Sequence, residues 1–396
     1  MFITMKKIRM GMVGGGQGAF IGAVHRIAAF LDGEIELVCG AFSSNPQRSI
    51  ESGKALYLPE HRCYDSYQEM ILCEEKLPEE MRMEFVVIVT PNHLHFPVAK
   101  MAIEHGFHVL SDKPATISLD EALRLKQLLE KHDQLYGLTQ TYTGYPLIKQ
   151  ARHLIATGEL GNIVKVVVEY SQGWLASKED ETSKQASWRL DEKQSGISCC
   201  MGDIGVHAAN LAEYVSGLNM AELCADITST VAGRTLDDDG TVLLKFSNGA
   251  KGVLLASQVA LGDENNLKLR VYGDRKSVEW SQLESNTLWL KSNTEATQMI
   301  RAGVGDLCAA AKQAMRTPAG HPEGYLEAFA NIYSNFAKQI RAKNAGEVCD
   351  NQLFDVPGIE QAVRGMAFIE NVVQASASNE KWHPFSLKSD SNMGEE

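Results

Sequence analysis

Lys113 stands between Asp112 and Pro114, directly after the apolar run Gly106-Phe107-His108-Val109-Leu110, and much later in the chain Asp203 and His207 are spaced i, i+4. A lysine ammonium, a carboxylate and an imidazole are the groups needed to take a proton from a hydroxyl while hydride leaves the same carbon. The i, i+4 spacing puts Asp203 and His207 on one face of a helix, with Ile204, Leu211 and Val215 supplying an apolar face. Each residue also has an ordinary reading when taken alone. Lys113 reads as a solvated loop lysine, Asp203 as a first-turn carboxylate favoured by the helix dipole, and His207 as a core histidine. What makes them a set is a place for a hydride acceptor elsewhere in the chain.

That place is the N-terminal glycine run. Gly14-Gly15-Gly16-Gln17-Gly18-Ala19 follows the apolar strand Ile8–Val13 and fits G-x-G-x-x-A, with Gly14, Gly16, Gln17, Gly18 and Ala19 as candidate dinucleotide contacts. Glycines at a strand-to-helix turn permit the turn and let backbone amides approach a pyrophosphate at a helix N-terminus. Beyond the second strand, Glu34–Phe42, the acid expected to bind a ribose 2′-hydroxyl is replaced by Ser43, followed by Ser44 and Arg48. Serine removes the repulsion an acid exerts on a 2′-phosphate, and Arg48 can pair with one. The pair therefore leans to NADP over NAD, with a helix-capping serine and a solvated arginine as the alternative. Thr90, Asn92 and His95 follow the strand Phe85–Val89 and are candidates for the nicotinamide or ribose side, or for capping the next helix, and Asp112 and Lys113, on the same rim, are also candidate cofactor contacts.

The elements that must position these residues fall into two patterns. The first third alternates strand and helix: Ile8–Val13, Ala19–Leu31, Glu34–Phe42, Pro46–Leu56, Phe85–Val89, Phe107–Leu110, Ser118–His132 and Leu135–Leu138. Such alternation means a doubly wound parallel sheet of the Rossmann kind. After a helix near Tyr145–Thr157 the chain turns to strands separated by signals such as Ser247-Asn248-Gly249, as hairpins of an antiparallel sheet require. Two helical segments follow, near Glu323–Ala342 and Val356–Ala375. The expected class is α/β: a dinucleotide-binding domain over 1–140, an α+β domain with a large, mostly antiparallel sheet over 141–386, and a polar tail, 387–396.

Composition fits this picture. The chain has 396 residues, 44% hydrophobic, and a net charge of −12 from 38 Lys+Arg and 50 Asp+Glu. An acidic balance argues against nucleic acid or an anionic membrane as partner. No stretch is long and apolar enough to span a bilayer, and Met1–Lys7 carries no apolar core of a secretory signal. A cytoplasmic location is expected. The eight cysteines form no Cys-x-x-Cys pair and no His-rich cluster, so they read as reduced thiols rather than a disulfide framework, and no metal site is expected. Cys199-Cys200 reads as two small buried side chains close to the proposed site.

These motifs resemble the Gfo/Idh/MocA family, the glucose–fructose oxidoreductase and inositol dehydrogenase group. Its Glu-Lys-Pro signature after a strand is matched by Gly106 to Pro114, and its glycine-led Asp-x-x-x-His by Ser195-Gly196 leading to Asp203 and His207. Trp188-Arg189 matches a Trp-Arg pair often found before the latter, and Gly320–Tyr325 resembles a segment of some sugar-oxidising members. The resemblance spans nearly the whole chain. It implies hydride transfer between nicotinamide and a secondary hydroxyl of a sugar or cyclic polyol. His207 would be general base or acid, Lys113 would stabilise the alkoxide, and Asp203 would bind a second hydroxyl. Tyr145, Trp174, Arg189 and His321 are the candidate substrate contacts, and a homo-oligomer, dimer or tetramer, is expected. Three departures stand out: Asp112 for the usual Glu, a phosphate loop from Gly14 to Gly22 longer than the simple pattern, and Ser43 for the common acid. Two other activities fit the same framework. One is a glycosidase using NAD transiently, and the other is a dinucleotide-sensing regulatory protein.

Overall fold

The structure is a computed structural model that describes residues 6–178 and 184–388. The chain forms two compact units.

The first unit holds a five-stranded sheet: β1 (Ile8–Gly14), β2 (Ile35–Ala41), β3 (Phe85–Val89), β4 (His108–Ser111) and β5 (Tyr136–Leu138). The order is β2-β1-β3-β4-β5, and every pairing is parallel. β3 is buried at all five positions, as a central strand covered on both faces must be. The strand order reverses between β1 and β3, so loops at their carboxyl ends flank the crevice where doubly wound sheets bind ligands. The helices Phe20–Phe30, Pro46–Ala55, Tyr67–Glu75 and His95–Glu104 belong to the same unit.

A late segment completes this unit. Phe329–Ala362 belongs to it, within and beyond the helix Tyr325–Asn344. Phe336 meets Phe85 edge-on at 5.5 Å, Tyr333 hydroxyl lies 2.7 Å from His25 Nδ1, and Arg341 pairs with Glu34 at 2.7 Å. Phe85, Phe336 and Tyr333 are fully buried. The first unit therefore draws part of its core from residues far along the chain.

The second unit is built on a nine-stranded sheet. Its strands are β6 (Ile163–Ser171), β7 (Met220–Thr228), β8 (Asp239–Phe246), β9 (Lys251–Ser257), β10 (Asn266–Gly273), β11 (Lys276–Ser281), β12 (Thr287–Ser292), β13 (Gln298–Arg301) and β14 (His383–Pro384). The order is β13-β12-β11-β10-β6-β9-β8-β7-β14; only β6 and β9 pair in parallel. Alternating burial along β8 and β9 marks one face as core. The turn Ser247-Asn248-Gly249 joins β8 to β9, with Gly249 at φ 88°, where glycine carries no steric penalty. Among the described residues no helix is long and apolar enough to cross a membrane.

Candidate active site

In the first unit, the glycine loop leaves β1 and enters the helix Phe20–Phe30, whose N-cap, Ala19, supplies no side-chain acceptor and whose first turn carries no acid. The loop is crowded by backbone. A Cβ on Gly16 would lie 2.7 Å from Ser52 Oγ and 2.8 Å from the Phe42 carbonyl, and one on Gly14 would lie 2.8 Å from the Val89 carbonyl. Gly18, at φ 75°, faces open space. Gln17 N–H donates to Ser52 Oγ at 3.1 Å, and Arg26 donates to the Gly15 carbonyl at 2.7 Å, so the loop is held from two sides. Such a cradle, with uncapped amides at a helix start, suits a pyrophosphate.

One functional glycine escaped the six-residue reading. A Cβ on Gly22 would sit 2.3 Å from Gly15 Cα, so the close approach of helix to loop falls on Gly22 rather than on Ala19. The signal was present as the longer spacing from Gly14 to Gly22.

At the end of β2, Ser43 Oγ accepts from Asn45 N–H at 3.1 Å, and Asn45, not Ser43, caps the helix Pro46–Ala55 by accepting from Arg48 N–H at 3.0 Å. Ser44 and the Arg48 side chain are exposed. Beyond β3, Asn92 is buried, and Thr90 Oγ1 is buried without a hydrogen-bond partner among the described residues. His95 lies 2.7 Å from the Pro114 carbonyl through Nδ1 and 2.9 Å from the Thr90 carbonyl through Nε2. Burial holds its pKa below the ordinary histidine value, against the pull of Asp112 and the two carbonyls. His95 is thus a strut between the segments after β3 and β4.

Lys113 follows β4 at the carboxyl edge of the sheet, half-buried, with a cis bond to Pro114. Asp112 Oδ1 accepts from Lys113 N–H at 2.8 Å and from Thr139 Oγ1 at 2.9 Å, and Oδ2 lies 3.8 Å from His25 Nε2. Burial alone would raise the Asp112 carboxyl, but His25, Lys113 and His95 outweigh it and hold it below the usual carboxylate range. A short anionic side chain therefore fixes the backbone from which Lys113 projects.

In the second unit, Met201–Gly205 is a π-helical turn that runs into the α-helix Val206–Ser216. Asp203 and His207 are therefore on one continuous element, though Asp203 sits on the wider turn, a feature that recurs at functional sites. Asp237 anchors its start: its carboxylate accepts from Cys199 N–H and Met201 N–H, each at 2.9 Å, and from Ser198 Oγ at 3.0 Å. Asp203 Oδ2 accepts from Gln258 Nε2 at 2.9 Å and pairs with Arg189 Nε at 3.2 Å. Arg189 stacks over Trp188 at 4.3 Å and reaches Trp174 at 5.9 Å, and Trp174 Nε1 donates to Gln172 at 2.9 Å.

His207 is buried, its Nδ1 2.7 Å from Gln140 Oε1 and its ring edge-on to Tyr142 at 5.0 Å. Tyr142 also stacks on the buried Tyr145 and bonds the Tyr170 hydroxyl, which donates to Asn265 at 2.7 Å. Burial raises the pKa of Tyr142 and Tyr170, keeping both hydroxyls protonated. His321 is set in an exposed loop, Nδ1 3.2 Å from the Pro318 carbonyl, on a cleft it lines with Pro146, Asn286 and Glu323. All eight cysteines are unbridged, and burial pushes the Cys199 and Cys200 thiols up, so neither is a nucleophile.

The structure therefore brings together Asp203, His207, Arg189, Trp174 and Tyr145 with Gln140, Tyr142, Tyr170 and Gln258, which motif reading did not single out. Gln140 and Tyr142 lay at what read as the boundary between domains.

Comparison with known proteins decides the family. Residues 8–140 match the model described as oxidoreductase family, NAD-binding Rossmann fold, and residues 148–279 match the GFO/IDH/MocA C-terminal domain. The chain belongs to the Gfo/Idh/MocA family. Among Gfo/Idh/MocA relatives, the uncharacterized oxidoreductase YfiI of Bacillus subtilis is 33% identical over 97% of this chain and 98% of its own length. An oxidoreductase from Sinorhizobium meliloti is 44% identical, with TM-score 0.86 over 96% of this chain and 99% of that one. An inositol dehydrogenase homolog from Azotobacter vinelandii, complexed with NAD+, is 33% identical, with TM-score 0.92 over 96% and 98%. A second structure of an inositol dehydrogenase homolog from that organism contains NADH and myo-inositol. The chain is thus an oxidoreductase of the Gfo/Idh/MocA family with an NAD-binding Rossmann unit and a large, mostly antiparallel second sheet.

Proposed function

We propose that this protein is an NAD(P)-dependent dehydrogenase that oxidises a secondary hydroxyl of a sugar or cyclic polyol of the inositol kind, or reduces the matching ketone. The observation that carries the reading is the cluster on the π-to-α element: a buried imidazole, His207, four residues from a carboxylate, Asp203, held by Arg189 and Gln258. A neutral polyol needs such closely placed donors and acceptors for recognition. The relative bound to NADH and myo-inositol supports the substrate class.

The residues fit the cofactor. Gly14, Gly16, Gln17, Gly18 and Ala19 would hold the pyrophosphate, with Ser43, Ser44 and Arg48 at the adenosine ribose. Thr90 and Asn92 would lie on the nicotinamide side, and Asp112 would set the backbone of Lys113. When bound, the nicotinamide supplies the hydride acceptor. His207 takes the proton of the reacting hydroxyl, a step that contributes roughly 10²–10⁴-fold. Lys113 stabilises the developing alkoxide. Asp203 and Arg189 accept from and donate to neighbouring hydroxyls, and Trp174 offers an apolar face for ring carbons. Tyr145 backs Tyr142, and His321 is the most loosely tied of the substrate contacts. Ser43 and Arg48 lean the cofactor preference to NADP. Leu243 and Leu255, both exposed on one face of the second sheet, support a homo-oligomer, dimer or tetramer.

The test is a spectrophotometric screen of inositols, aldoses, ketoses, anhydrosugars and simple glycosides with each of NAD⁺ and NADP⁺, with glycoside cleavage followed alongside. Net reduction with one class establishes the dehydrogenase. Cleavage of glycosides without net reduction would overturn it in favour of transient oxidation.

A further inference from the structure

We propose that Gln140 is a positioning residue for the reaction: it fixes the His207 imidazole in the tautomer that carries its proton on Nδ1. The inference rests on the reading of His207 as the proton-transfer group. Gln140 is 1% exposed, and its Oε1 lies 2.7 Å from His207 Nδ1. An amide oxygen is an acceptor only, so Nδ1 must carry the hydrogen and Nε2 keeps the lone pair that a base needs. Gln140 Nε2 makes no hydrogen bond among the described residues, so the side chain's polar tie there is the one to His207. Its main chain is held separately, the carbonyl accepting from Thr143 N–H and Thr143 Oγ1 at the helical turn Thr141–Gly144. The side chain is thus presented to the imidazole from a rigid turn.

The two tyrosine rings beside His207 do not set the tautomer. Tyr142 and Tyr170 present ring faces and edges, at 5.0 and 6.4 Å between centroids, and their hydroxyls are bonded to each other. Asp203, on the same element, is turned to Arg189 and Gln258. A neutral amide fixes orientation without adding charge, whereas a carboxylate in its place would also stabilise the imidazolium.

Side-chain nitrogen NMR on the full chain, with histidine labelled and His207 assigned by loss of its signal in His207→Asn, reads the tautomer directly. The expected signal is Nδ1–H in the wild type, collapsing to a mixture in Gln140→Leu. An Nε2–H imidazole in the wild type, which is what the reversed amide orientation would produce, overturns the proposal. Kinetics supply the second arm. Gln140→Glu should move the acid limb of the kcat/KM profile up by a unit or more, and Gln140→Leu should lower kcat about 10- to 100-fold with KM little changed. Loss of activity in both variants with an unmoved acid limb would reduce Gln140 to a packing role. The NMR readout needs no substrate: an Nδ1–H tautomer in a protein that oxidises no polyol would sink the dehydrogenase reading alone.

Discussion

Arg189 Nε lies 3.2 Å from Asp203 Oδ2, the same oxygen that accepts from Gln258 Nε2 at 2.9 Å. One hydrogen bond and one ion pair meeting on that oxygen fix the direction of the carboxylate on its π-helical turn. Asp203→Leu should therefore cost on two counts. It leaves the fully buried Gln258 amide without its acceptor, about 1–3 kcal/mol in a urea titration. It should also lower kcat/KM for the polyol on the order of 100-fold, whereas Asp203→Asn should keep most of the stability and lose activity.

Lys113→Met should lower kcat by roughly 10²–10³-fold, the scale of losing one preorganised donor to a developing oxyanion. Dinucleotide affinity, followed by quenching of protein fluorescence, should stay close to wild type. Retention of full turnover would remove Lys113 from the mechanism.

Gly22→Ala should act on the cofactor end without touching any polar group. Its Cβ would lie 2.3 Å from Gly15 Cα, a contact with backbone that no rotamer relieves. Overpacking of this kind costs about 1–3 kcal/mol. The urea midpoint should fall, and dinucleotide affinity with it.

Arg48→Ala should discriminate between the two cofactors. A charge-assisted bond to a 2′-phosphate contributes about 1.5–3 kcal/mol, so KM for NADP⁺ should rise about 10- to 100-fold while KM for NAD⁺ holds. Equal effects on both, or none, would show that Ser43 and Arg48 do not read the phosphate.

His108 gives the first unit a pH dependence of known sign. It is 8% exposed, and its Nδ1 accepts from Leu135 N–H at 3.1 Å, which requires the neutral ring. Burial, helped by Lys343 and opposed by Asp133, pushes its pKa down to about 4 from the ordinary 6.5. Between those values the unfolded chain binds the extra proton, so stability is fully present above about pH 6.5 and is lost as pH falls towards 4. The loss is on the order of 3 kcal/mol at most. Urea titrations across this window should show a shallower decline in His108→Asn than in the wild type.

Much of this architecture was legible in local sequence because its causes are local. The five-residue apolar run Phe85–Val89 is a buried central strand, and Ser247-Asn248-Gly249 is the hairpin turn its residue types require. The family motifs were equally legible, since Asp112-Lys113-Pro114 and Asp203-x-x-x-His207 are contiguous words. The helix Tyr67–Glu75 was not read, although Ser66 Oγ accepts from Glu69 N–H and Glu69 returns to Asp65 N–H, a start signal written in the chain. Its weak amphipathic pattern hid it. Gln140, Gln258 and Asn265 were beyond local reading for a different reason. Their meaning depends on His207, Asp203 and Tyr170, which the sheet brings near across long stretches of sequence.

The contribution of Phe329–Ala362 to the first unit bears on the order in which the protein is born. At synthesis rates of 5–20 residues per second, the five parallel strands leave the ribosome roughly 10–40 s before Tyr333 and Phe336 exist to cover His25 and Phe85. During that interval the nascent nucleotide-binding sheet carries an uncovered apolar face. The chain must either hold it in a partly folded state or shield it with a chaperone until the last third arrives. Cutting the gene after the fifth strand would make that interval permanent, so the nucleotide-binding half is not a module that can be lifted out whole.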